Sequence, residues 1–166
     1  KCAAREIDGD RWSKHCCLTV PRGDEVLGRV SCVTALSSGI AHAQLEETQR
    51  ARWLRGVWWG TAVECYSALS RLRREEALTS ADETQARIVL QALMTAWTEI
   101  EPSVVVREQA GRVLLLHPLR AADAMQLAAA IVWANGQASG HEFVCLDHRL
   151  REAAQREGFT VLPKQL

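Results

Sequence analysis

Three acidic side chains stand at predicted junctions between a strand and a helix or in the first turn of a helix. Glu64 follows the apolar stretch "GVWWG", Asp123 lies within "LRAADAMQLAAAIVWA", and Asp147 comes directly after "FVCL". Carboxylates brought together repel, and one takes up a proton unless a cation intervenes. Mg²⁺ or Mn²⁺ is a hard, oxygen-seeking ion that can activate water and neutralise charge on a phosphoryl oxygen. These acids therefore predict metal-assisted hydrolysis.

Each acid also has a purely structural interpretation. Glu64 follows Thr61 by three residues, which is the spacing of a capping box, and Asp147 is well placed as an N-cap. Asp123 could complement a helix dipole, with Arg120 neutralising its charge. Its surroundings favour a functional role, because the helix predicted from Ala121 to Ala134 is apolar on every side. Such a helix is normally buried, and burying an ionised acid without partners is costly.

The periodic part of the chain alternates strands and helices. "GVWWG", "FVCL" and "FTVL" are typical of short buried strands, and helical patterns separate them. Ser80 and Glu83 have capping-box spacing at the start of one of these helices. The alternation predicts an α/β chain with a parallel sheet covered by helices on both faces, and sites in such sheets form beyond the carboxyl ends of the strands.

Composition excludes several classes of protein. The 166 residues contain 20 Lys plus Arg and 20 Asp plus Glu, so a broad basic surface for nucleic acid is not expected. No stretch reaches the ~18 apolar residues of a membrane span, and no signal-peptide core is present near the start. The six cysteines form no CxxC pair, which favours reduced thiols and a cytoplasmic protein. Glycine-rich phosphate loops and a GxSxG elbow are absent from the sequence.

One basic and four aromatic side chains are candidates for contact with a nucleic acid. Arg120, beside Asp123, is the basic residue that we expect to meet a phosphate. Aromatic side chains could stack on bases. However, the tryptophans of the periodic region fall among apolar neighbours on predicted strands or helices, and this favours core packing for Trp58, Trp59, Trp97 and Trp133.

The first third of the chain has a different character. Residues 1–52 hold four of the six cysteines and only weak periodicity, with a possible strand from Val26 to Val33 and a possible helix from Ile40 to Leu54. We therefore divide the chain into an atypical N-terminal segment, residues 1–52, and a domain body, residues 53–166.

Three blocks of the body together resemble PIN domains of the VapC toxin type. The blocks are "WWGTAVECYSALSRL", "HPLRAADAMQLAAAIV" and "FVCLDHRLREAAQREGFTVL", in the family's order and at its spacing. The likeness covers roughly Val57 to Pro163, and "LRAADAMQLA" is its most specific part.

This resemblance implies a three-layer α/β/α fold with a central parallel sheet. It implies a Mg²⁺- or Mn²⁺-dependent endoribonuclease, the toxin of a toxin–antitoxin pair, usually a homodimer inhibited by a cognate VapB-like antitoxin. Matched by motif, Glu64, Asp123 and Asp147 would be the catalytic acids around the metal. Two alternatives stay open. One is a PIN-like module that binds antitoxin or a second copy without cleavage, and the other is an unrelated α/β domain whose acids only cap helices.

One block of the family pattern is missing. PIN domains of this type open with a strand ending in an aspartate, in a block like "YxDTSALV", and this chain has no such block. Asp24 is the nearest acid, Asp8 and Asp10 lie further away, and none has the right context. We assign no residue to that position. The N-terminal segment is either divergent or translated out of frame relative to the family, with the family's frame regained before Val57.

The frame hypothesis predicts specific codons. "VLGRVSCVT", from Val26 to Thr34, can be encoded as GTA TTG GGA CGC GTC AGC TGT GTT ACC. The same bases read one position later, completed by the next codon's first base, encode Tyr-Trp-Asp-Ala-Ser-Ala-Val-Leu-Pro, which matches the missing block. Sequencing the coding DNA should find these bases, and wobble bases that encode no such block would exclude the hypothesis.

Overall fold

A computed structural model describes Leu18–Pro21 and residues 56–164. Asp8, Asp10, Asp24, the possible strand from Val26 to Val33 and the possible helix from Ile40 to Leu54 lie outside these residues. The described elements, in chain order, are β1 (Leu18–Pro21), β2 (Gly56–Trp58), α1 (Thr61–Arg74), α2 (Ser80–Met94), β3 (Thr98–Ile100), α3 (Val104–Leu116), α4 (Ala121–Trp133), β4 (His141–Val144), α5 (His148–Arg156) and β5 (Thr160–Leu162).

These strands form one sheet in the order β3-β2-β1-β4-β5. β4 and β5, which were both predicted, pair in parallel, and β2 pairs in parallel with β3, a strand that the sequence patterns did not predict. The α/β class is confirmed. The expectation of a sheet parallel throughout is wrong, because β1 runs antiparallel to both of its neighbours. A short strand can satisfy its hydrogen bonds in either direction, so its residues alone do not fix its orientation.

The direction of β1 leaves the other four strands pointing the same way. β2 and β4 are both antiparallel to β1, with Leu18 opposite both Val57 and Val144. The carboxyl ends of β2, β3, β4 and β5 therefore share one edge of the sheet. The chain enters α1, α3 and α5 from this edge, and this is where sites form in α/β proteins.

Helix α4 lies at the centre of the main hydrophobic core. It packs against α3 and β2 and also contacts α5. Its alanines leave room for close contact, and Gly56 of β2 is needed because a Cβ there would meet the Trp133 ring at 2.7 Å. The prediction of a buried helix is confirmed: the buried residues of α4 are Ala124, Gln126, Leu127, Ala128, Ala129, Ala130 and Ile131.

Helices α1 and α2 enclose a second, smaller core that includes Cys65, Leu69 and Leu90. The capping box of α2 lies one residue earlier than predicted. Thr79 is the N-cap, and its side chain and that of Asp82 complete the reciprocal pair. Both Thr79–Asp82 and Ser80–Glu83 have the required spacing. Glu83 instead forms an ion pair with Arg87, 2.8 Å away and one turn along the helix.

A buried arginine joins the ends of β4 and β5. Arg151 of α5 is only 8% exposed, and its guanidinium donates hydrogen bonds to the carbonyl oxygens of Cys145 (2.7 Å), Leu162 (2.9 Å) and Pro163 (2.5 Å). Within residues 56–164 it forms no ion pair with a carboxylate. Three carbonyl dipoles stabilise the buried charge, and the contact fixes the strand end that precedes Asp147.

Replacing Arg151 should therefore destabilise the fold. Arg151→Met keeps much of the side-chain volume but leaves three carbonyl oxygens without this donor, and we expect a loss of about 3 kcal/mol in the free energy of unfolding. Urea denaturation measures this loss. Arg149→Met is the matched control, because Arg149 is exposed on the same helix. Equal stability of the two variants would contradict a structural role for the Arg151 contacts.

Candidate functional site

Glu64 lies in the first turn of α1 but does not cap it. The predicted capping box of Thr61 and Glu64 is wrong: Gly60 is the N-cap, Thr61 is the first helical residue, and the Glu64 N–H donates to the Gly60 carbonyl at 3.0 Å. The Thr61 hydroxyl is buried and has no hydrogen-bond partner in the described part of the chain. The short turn after β2 starts the helix one residue earlier than the side-chain pattern indicated. The Glu64 carboxylate is thereby available for another partner.

That partner comes from α4. Gln126 is buried, and its side-chain nitrogen donates to the Glu64 carboxylate at 2.5 Å. Asp123 lies one turn before Gln126 on the same helix, and its negative charge acts on Glu64. The structure thus brings together Glu64, Asp123 and Gln126. We call Glu64 and Asp123 the acid pair, and the amide that contacts it is that of Gln126.

Burial changes the protonation of Glu64. It raises the pKa of Glu64 from 4.5 to about 7, against the hydrogen bond from Gln126, which lowers it. The charge of Asp123 adds to the rise, because two nearby carboxylates resist being ionised together. Near neutral pH, Glu64 is therefore shared between its protonated and ionised forms.

Asp147 has the structural role that its position allowed. It is the N-cap of α5, and one carboxylate oxygen accepts from the N–H groups of Arg149 (3.0 Å) and Leu150 (3.1 Å). This satisfies backbone donors that the first turn of a helix leaves unpaired. One carboxylate oxygen of Asp147, the third predicted acid, is thus used to cap α5.

The described residues contain no group of three or more His, Cys, Asp or Glu side chains arranged to hold a metal ion. The ligand set Glu64, Asp123 and Asp147 therefore stays a prediction. The acid pair by itself suits Mg²⁺, which is often bound by one or two carboxylates, waters and a substrate phosphate. A divalent cation would counter the burial of Glu64 and its repulsion from Asp123, which together raise the pKa of Glu64.

Gln126 was not among the predicted site residues. It is the only polar residue besides Asp123 in "AADAMQLAAAIVW", and it follows Asp123 by the three residues that place both on one helix face. That spacing was the available signal.

The prediction that the tryptophans pack in the core was wrong for Trp59, which is 47% exposed. Trp58, by contrast, is partly buried against the main core.

The predicted phosphate contact, Arg120, is exposed at the N-cap position of α4, and its side chain makes no capping hydrogen bond.

In the part of the chain that the structure describes, no helix is long and apolar enough to cross a membrane. Comparison of the chain with protein-family models, curated proteins and solved structures found no match. The likeness to PIN domains rests on the three sequence blocks quoted above.

The raised pKa of Glu64 predicts a pH-dependent stability. Between its unfolded value of 4.5 and its folded value of about 7, the folded chain binds more protons than the unfolded chain. Stability should therefore fall as the pH rises through this window and level off above it. Because solvent still reaches the carboxyl group, we expect a loss of only about 1–2 kcal/mol.

Glu64→Gln should remove this dependence, since its neutral amide can still accept from Gln126. Urea denaturation across the pH window measures the effect. Glu108→Gln changes the same charge at an exposed position of α3 and should leave the slope unaltered. A Glu64→Gln variant with the slope of the original chain would contradict the assignment.

Proposed function

We propose that this chain is a Mg²⁺- or Mn²⁺-dependent endoribonuclease of the PIN and VapC toxin type. One observation supports this most directly: a buried amide holds one of two electrostatically coupled carboxylates, in the first turn of the helix that follows β2. Two of the three acids implied by the sequence resemblance are thus coupled. The proposal includes the family's three-layer arrangement of helices around the sheet.

Glu64 and Asp123 would hold the ion. Such an ion supplies positive charge against a phosphate oxygen and lowers the pKa of bound water. Gln126 positions Glu64 by donating to it from a buried side chain. Without an ion, Glu64 has a pKa of about 7, so at neutral pH the ion would compete with a proton for this carboxylate. Arg120, exposed at the start of α4, is the proposed contact for the phosphate backbone.

The proposed setting is a toxin–antitoxin pair. RNA is the substrate, a VapB-like antitoxin is the inhibitor, and a homodimer is the assembled form. Helix α3 offers a surface for a protein partner, because several large apolar side chains at its two ends are exposed. These are Val104, Val105, Leu114, Leu115 and Leu116. Such patches are typical of interaction sites.

A second function is favoured by the central strand. β1 has the sequence Leu-Thr-Val-Pro and contains no acid, whereas the family's first strand ends in an aspartate that binds the metal. The acid pair and the exposed face of α3 are then the remaining parts of a module that binds antitoxin or a second copy without cleaving RNA. RNA cleavage distinguishes the two functions.

The first experiment measures cleavage of single-stranded RNA with Mg²⁺ or Mn²⁺. We expect cleavage that EDTA abolishes and that Asp123→Asn reduces by about 100-fold or more, because one charged ligand is lost. Mg²⁺ should also raise the melting temperature of the original chain but not that of Asp123→Asn. Glu75→Gln, an exposed change at the end of α1, is the control. Lack of cleavage by a folded chain would favour the binding module.

Asp147→Asn tests the third acid separately. Asparagine is as good an N-cap as aspartate, so the variant should fold with nearly unchanged stability. If Asp147 also serves the metal, its cleavage rate should fall with that of Asp123→Asn. Unchanged cleavage would limit Asp147 to its capping role.

A further inference from the structure

A cavity of about 330 Å³ lies at the carboxyl end of β2 and β3, the edge of the sheet from which α1 begins. Trp58 is the last residue of β2 and precedes Glu64 by six residues. Met125 lies between Asp123 and Gln126 along α4. The remaining lining comes from the turn after β3 and the start of α3: Pro102, Ser103, Val104, Val106 and Arg107.

The cavity joins a mostly apolar lining to one positive charge. An indole, a thioether, a proline ring and two valines form most of its surface. Arg107 is exposed, and its guanidinium makes no hydrogen bond or ion pair with any other described residue. Ser103 accepts from the Val106 N–H at 3.2 Å, which leaves its hydroxyl hydrogen to donate. Among the described residues no acid lines the cavity, so it suits a ligand that is planar, apolar and attached to a negative charge.

We infer that this cavity binds one base of single-stranded RNA, with Arg107 on the adjoining phosphate. The inference rests on the proposed function and names the subsite that it leaves undefined. The volume lies at the lower end of small-ligand pockets and is adequate for a single base. The indole offers a stacking surface, and the free guanidinium complements a phosphate. An apolar peptide would leave the charge of Arg107 without a partner.

A base-binding cavity would determine which RNA segments this chain selects. A base can enter the cavity only when it is unpaired, so the subsite selects single-stranded segments. Stacking tolerates any base, because every base has a π-face, and the selection is therefore for structure more than for sequence. Trp58 and Arg107 become the residues that determine specificity.

The test measures binding of a short fluorescein-labelled single-stranded RNA in EDTA, where cleavage does not interfere. Arg107→Gln should weaken binding and lower the slope of log affinity against log salt concentration by about 0.7, the value for one lost phosphate contact. Arg74→Gln removes the same charge at the far end of α1 and should do neither. An RNA of the same length with abasic residues should bind the original chain about 10-fold more weakly, because stacking is lost.

Three results would overturn the subsite: no RNA binding, equal affinity for intact and abasic RNA, or Arg107→Gln and Arg74→Gln with the same salt slope. Failure of the proposed function is distinguishable from these results. A chain that binds RNA through its bases and Arg107 yet does not cleave it with Mg²⁺ retains the subsite and loses the nuclease. A chain that cleaves RNA with affinity independent of Arg107 and of the bases retains the nuclease and loses the subsite.

Discussion

The burial of α4 is the constraint on which the rest of the structure depends. This helix contacts α3, β1, β2 and α5, and most of its side chains are withdrawn from solvent. A buried helix has little tolerance for polar groups, yet α4 contains Asp123 and Gln126. Gln126 is accommodated by its hydrogen bond to Glu64, and that bond joins α4 to the first turn of α1. Core packing and the candidate site are therefore one arrangement.

The same constraint explains the electrostatics of the acid pair. Burial would keep Glu64 protonated, the amide of Gln126 favours its ionised form, and Asp123 opposes ionisation. The result is a Glu64 carboxyl group with a pKa of about 7. A cation would relieve the repulsion, and so would a proton. The chemistry proposed for the site depends on which of the two binds.

The central strand sets different requirements for the fold and for the proposed metal site. The sheet needs a member between β2 and β4, and Leu18–Pro21 occupies that place by pairing with both neighbours. Backbone hydrogen bonds accept almost any residues, so an antiparallel segment without an acid completes the sheet. A metal ligand cannot be replaced in this way, since it requires one carboxylate at one position. The fold can therefore be complete even where the proposed metal site lacks a ligand.

Local patterns were sufficient to determine much of this protein. Alternating strands and helices predicted the α/β class, and the uniformly apolar pattern predicted that α4 is buried. The position of Asp147 before "HRL" allowed an N-cap as one of its two roles. These features depend on neighbours along the chain, through periodicity and capping. The tertiary structure decided four other features: the direction of β1, the release of Glu64 from the cap, the hydrogen bond between Glu64 and Gln126, and the cavity beside Trp58. Each depends on residues far apart in sequence, whose meeting is fixed only when the helices pack on the sheet.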